Sequence, residues 1–75
     1  MKREFIRKFV GIDSEANTHI SCCIFKEGRN RWIIKVAKWG ERRLSLHHIN
    51  YILNSIVDDA LPINLESFLM HCRLI

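Results

Sequence analysis

"THISCCIFKEGRNRWIIKVAKWG", residues 18–40, is the stretch whose reading decides the fold. Thr18 to Lys26 is rich in β-branched, aromatic and Cys residues, which suit a pleated, half-buried strand. It runs into Glu27-Gly28-Arg29-Asn30, and Gly28 at the first central position suits a two-residue type II′ turn. A second strand, Arg31 to Trp39, follows and is closed by Gly40. With Gly28-Arg29 as the turn, Phe25 faces Trp32, Cys23 faces Ile34 and Ser21 faces Val36 on one side. Ile24 with Ile33, Cys22 with Lys35, Ile20 with Ala37 and Thr18 with Trp39 fill the other. Both sides are then partly apolar, whereas a sheet with one solvated face alternates cleanly. On this pairing Trp32 and Phe25 belong to the core. Ile20, Ile24, Ile33 and Trp39 form a second apolar side that needs a cover, from the chain itself or from another molecule.

Working outward, the C-terminal half is helical. Ser45 is a good N-cap, and Leu46, Ile49, Leu53, Ile56, Val57 and Ala60 recur at spacings of three and four, with Ile52 widening the stripe. His47, Asn50, Tyr51, Asn54 and Asp58 take the outer side. Asp58 and Asp59 oppose the macrodipole at the end of this helix, and Pro62 closes it. Asn64 can cap a last short helix with Leu65, Phe68, Leu69 and Cys72 on one face. Leu74 and Ile75 put apolar residues at the end of the chain, as a packed tail would. Toward the N-terminus, Phe5, Ile6, Phe9 and Val10 fit either a short helix that Gly11 stops or a strand, which two Phe, an Ile and a Val slightly favour, and a polar turn follows over 13–17. The expectation is a single α+β domain over 1–75. Its two layers are an antiparallel sheet of two to three strands (hairpin 18–39) and a pair of helices, one main (45–60) and one short (65–73).

Composition narrows the function classes. A chain of 75 residues that is 48% hydrophobic and 27% charged is globular rather than disordered. At this size the core is small and a partner is a common source of stability. No apolar run reaches the roughly 18 residues of a membrane span, and "MKREFIRKFVG" interrupts its apolar positions with charge, so it has no signal-peptide core. With three cysteines and no export signal, a cytoplasmic protein with free thiols is expected.

The net charge of +4 is unevenly spread: residues 26–43 alone hold seven Lys or Arg against two Glu. Arg29, Arg31, Lys35, Trp39, Arg42 and Arg43 are the candidate partner-binding residues, because guanidinium and ammonium groups neutralise acidic surfaces and an exposed Trp anchors interfaces or stacks on bases. The same letters describe a solvated sheet edge whose cations discourage aggregation.

Catalytic and metal chemistry find little support. Asp58 and Asp59 would lie about 100° apart on a helix and cannot act as a carboxylate pair. Gly11, Gly28 and Gly40 are isolated, so no loop cradles phosphate. The metal-binding letters come as adjacent doublets, Cys22-Cys23, His47-His48 and His71-Cys72, with none of the usual zinc spacings. No cofactor is expected. The leading expectation is a non-enzymatic binding module, an inhibitor or adaptor acting by protein–protein interaction on an acidic or nucleic-acid-binding partner. It resembles small proteins of phages and mobile elements in size and organisation only. Direct nucleic-acid binding through the same basic hairpin and a homodimeric assembly subunit are the alternatives, and no membrane partner is expected.

Overall fold

The computed structural model describes residues 2–13, 17–37, 39–57 and 61–71, the side chains of Leu69 and His71 excepted. Among these residues five strands form one mixed sheet: β1 (Arg3–Asp13), β2 (Thr18–Glu27), β3 (Arg31–Val36), β4 (Gly40–Leu44) and β5 (Ile63–Asn64), in the order β4-β3-β2-β1-β5. Two short helices, α1 (Leu46–Ser55) and α2 (Leu65–His71), complete it. This corrects the expected two- to three-stranded sheet under one main helix over 45–60: the domain is mostly sheet. Asp58, Asp59, Ala60, Cys72, Leu74 and Ile75, to which the sequence assigns roles, lie outside the described residues.

The decisive correction is one residue of register. The β2–β3 turn holds three residues, 28–30, with Gly28 at φ 68, so Glu27 pairs with Arg31 rather than with Asn30. A slip of one position moves side chains to the opposite face. Ile24 now faces Ile34 and Cys22 faces Val36, while Phe25 faces Ile33 and Cys23 faces Lys35. The pattern that looked apolar on both sides thereby sorts into one largely buried face and one mixed face. Ile20 and Ile24 go to the core, and Phe25, expected there, goes to the other side. Trp32 does pack against the core, with Lys26 Nζ 5.0 Å from its ring centroid.

The N-terminal segment is a strand, and Gly11 sits within it rather than ending it. A β-bulge between Phe5 and Arg7 inserts Ile6, which packs against the core. The Gly11 position has a specific cause. β5 pairs parallel to β1 through Gly11–Ile63 and Ile12–Asn64, and Leu65 follows at once. A Cβ at Gly11 would come closer than 3.0 Å to the branched end of the Leu65 side chain. Only glycine lets Leu65 seat there, fully buried.

The β3–β4 connection turns through Trp39, whose N–H donates to Val36 O at 3.0 Å, and through Gly40 at φ 83. Arg31 to Trp39 is thus not one strand: β3 stops at Val36, and "GERRL" forms a charged edge strand beside it. Because β4 and β5 lie at opposite edges, the chain between them must cross one face of the sheet, and α1 lies on that crossing. Ser45 caps α1 as expected, its Oγ accepting from the His48 N–H at 3.3 Å. The helix ends at Ser55, where Ile56 adopts an extended backbone. Of the expected stripe, Ile49, Ile52 and Ile56 are buried and Leu53 is half-buried, but Leu46 and Val57 are exposed. Asn64 caps α2, its Oδ1 accepting from the Ser67 N–H at 3.0 Å, and Tyr51 of α1 stacks on Phe68 of α2.

Ile49, Ile52 and Ile56 of α1 and Leu65 and Phe68 of α2 share one core cluster with Phe9, Ile20, Cys22, Ile24, Ile34, Val36 and Leu44. Both helices therefore cover the same face of the sheet. Among the described residues no helix is long and apolar enough to cross a membrane.

Candidate functional site: the open face of the sheet

Side chains alternate across a strand, so the register defines the face opposite the helices. Phe5 of β1 pairs with Phe25 of β2, which pairs with Ile33 of β3, which pairs with Arg43 of β4. This row crosses four strands. Phe5 is 57% exposed and meets Phe25 edge to face, with centroids 5.9 Å apart and planes at 70°. Ile33 is buried yet stands outside the helix-covered core cluster. The aliphatic stems of long charged neighbours can shield such a residue.

Arg3 roofs part of this row. Its guanidinium lies 5.0 Å from the Phe25 centroid. It donates to Glu27 Oε1 at 2.8 Å, and to Glu41 Oε1 and Oε2 at 2.7 and 3.3 Å. One side chain from β1 thus reaches across the sheet to β4. The hydrogen bonds to Glu41 and then to Glu27 raise the Arg3 pKa, and the bond from Arg3 holds the Glu41 carboxyl below the ordinary carboxylate value. Both glutamates of this face are committed to Arg3. Around them stand Lys8, Arg31, Lys35 and Arg43, all exposed, with Lys35 opposite Glu41 and contributing to its lowered pKa. The result is an apolar centre within a cationic frame.

The six sequence candidates separate accordingly. Arg31, Lys35 and Arg43 share the open face. Arg29, at the β2–β3 turn, joins Arg31 and Arg43 around a shallow hollow. Arg42 pairs with Ile34 and so belongs to the helix side of the edge strand; its Nη1 donates to Glu41 O at 2.9 Å. Trp39 sits in the β3–β4 turn, 38% exposed, away from the Phe5–Phe25–Ile33 row. Sequence reasoning missed Phe5, Phe25, Arg3 and Lys8. A three-residue turn would have revealed Phe25, and pairing of β1 with β2 the other three.

Among the described residues no three His, Cys, Asp or Glu side chains come close enough to hold a metal ion. Cys22 is buried, its Sγ donates to Ile20 O at 3.6 Å, and burial pushes its thiol up to about 12. Such a thiol is a packing group rather than a nucleophile. Comparison with protein families, curated proteins and solved structures finds no match. The geometry of the open face therefore carries the functional reading.

Proposed function

We propose that the protein is a non-enzymatic binding module that docks the open face of its sheet onto an acidic partner protein, as an inhibitor or adaptor acting by occlusion. The observation that carries this reading is the placement of both helices on one side. It leaves exposed Phe5 on the other, with half-buried Phe25 and buried Ile33 beside it, framed by Lys8, Arg31, Lys35 and Arg43. An aromatic and aliphatic centre inside a charged rim is the composition of a protein interface. The charge sign selects the partner: two copies meeting face to face would oppose their cations, so a homodimer through this face is disfavoured and an acidic surface is favoured. A cytoplasmic setting fits the free thiols of Cys22 and Cys23.

Exposed Phe5 beside cations favours a second reading, single-stranded nucleic acid, whose bases stack on aromatic rings. Affinity capture from the source cell, with and without nuclease, separates the two. The proposal expects a protein that survives nuclease and is lost with Phe5→Ser and with Lys35→Glu, but kept with the helix-side control Asn50→Ser. Retention only without nuclease would overturn it in favour of nucleic acid. So would binding to a purified oligonucleotide whose logarithm falls with that of salt by roughly −0.7 per phosphate contacted. Capture that ignores both face substitutions would overturn the face itself.

A further inference from the structure

The β2–β3 turn holds an unbalanced cluster of guanidinium groups. A shallow hollow of about 250 Å³ is lined by Glu27, Gly28, Arg29, Asn30, Arg31 and Arg43. Arg31 and Arg43 are diagonal neighbours on the open face, since Ile33 is the residue opposite Arg43 and Arg31 lies two positions before it. Diagonal neighbours on adjacent strands are within reach of long side chains. Glu27 stands directly opposite Arg31 and would be its natural counter-ion. Instead, the Glu27 carboxylate is held by Arg3 at 2.8 Å. Among the described residues no ion pair engages Arg29, Arg31 or Arg43. Three like charges around one concavity repel one another, and an anion seated among them relieves that repulsion. Guanidinium forks match the tetrahedral oxygens of a phosphoryl group better than they match a single carboxylate, because several can each donate two parallel hydrogen bonds. The turn permits a close approach: Gly28 supplies no side chain at its rim, and its φ of 68 places the three loop residues in a tight bend.

We propose that this hollow is a phosphoryl-binding site in which Arg29, Arg31 and Arg43 clamp one dianionic group. The inference deepens the docking reading, since the hollow lies at one end of the open face, but its test needs no partner. Amide NMR of the full chain at pH 7.5 is titrated with inorganic phosphate, against acetate at matched ionic strength as a control. The site requires saturable shifts confined to Gly28, Arg29, Asn30, Arg31 and Arg43. Arg31→Gln and Arg43→Gln should each weaken phosphate about tenfold, the cost of losing one charge-assisted pair. Lys26→Gln, on the helix side of the same hairpin, should leave it within about twofold. These residues are exposed, so the variants keep the fold, which the same spectra report. A phosphoserine peptide forms a second arm. Tighter binding than inorganic phosphate assigns the group to a side chain of a partner, and equal binding assigns it to free phosphate; both retain the site. Shifts that do not saturate, that spread equally to Lys8 and Lys35, or that acetate reproduces would overturn it as diffuse ionic screening. A lost docking partner with phosphate binding intact would refute only the docking reading.

Discussion

Replacing Gly11 by Ala adds one methyl group at the tightest point of the fold. Two effects oppose each other. Gly11 does not have a positive φ, so Ala accepts its backbone and should gain about 0.4–1 kcal/mol by restricting the unfolded chain. Against this, the new Cβ falls closer than 3.0 Å to Leu65 Cγ and both Cδ atoms. Leu65 is fully buried and opens α2 immediately after β5, so it has little room to give. Overpacking of a dense core costs about 1–3 kcal/mol. The clash wins, and the net destabilisation should be about 1–2 kcal/mol. A domain of this length holds roughly 4–11 kcal/mol in total, so the variant still folds, and its melting temperature falls by roughly 5–15 °C. Urea denaturation of Gly11→Ala, Leu65→Ala and the double variant closes a cycle. Leu65→Ala alone should cost about 2–5 kcal/mol. The double variant should cost at least about 1 kcal/mol less than the sum, because the shortened side chain removes the clash. A Gly11→Ala protein as stable as the wild type, with additive cycle energies, would refute the seating of Leu65 against β1 and with it the parallel β1–β5 pairing.

Other consequences follow from the two faces and their chemistry. Ile34→Ala, in the core, should lose about 2–5 kcal/mol, whereas Phe5→Ser on the open face should lose only about 0.5–1.5 kcal/mol, the worth of its edge-to-face pair with Phe25; equal losses in urea melts would contradict the assignment of faces. Native Cys22 should resist iodoacetamide at pH 8, where a thiol at about 12 is roughly 10⁻⁴ ionised; mass spectrometry finding it alkylated before unfolding would contradict its burial. The Glu41 carboxyl should titrate below the ordinary carboxylate value and move up toward it in Arg3→Gln, read by carbon-13 NMR. Because the folded value is depressed, this pair stabilises above the ordinary carboxylate value, and that contribution is lost as pH falls through the depressed one. An unshifted Glu41 midpoint in the wild type would break the bridge from β1 to β4.

Much of the domain was legible where local chemistry decides it. Ser45 and Asn64 cap the helices that their types announce, because a short side-chain oxygen satisfies an otherwise unpaired N–H wherever a helix starts. Ile49 and Ile52 follow helical periodicity into the core. Non-local geometry was less legible. Gly28 is compatible with a two- or a three-residue turn, and that single choice exchanges Phe25 for Ile24 at the core. "GERRL" has only Leu44 to mark it as a strand; its pairing with β3 decides the rest. Ile63–Asn64 is too short to show any period, and its presence depends on Gly11, more than fifty residues earlier, making room. Arg29, Arg31, Lys35 and Arg43 could be singled out from charge, since cations on a small sheet usually stay exposed. Arg3 could not, because its role depends on a reach across four strands that only the sheet order reveals.

A docking role requires the sheet face opposite the helices to be open in the free protein. Solvent relaxation by a neutral gadolinium chelate measures that directly by NMR. The Phe5 ring protons and the side chains of Lys8, Lys35 and Arg43 should relax strongly, while the methyl groups of Ile24, Ile34, Ile49 and Ile52 stay protected. If the Phe5 ring is protected as well in a monomeric sample, the chain covers this face itself, and the case for a docking surface there fails.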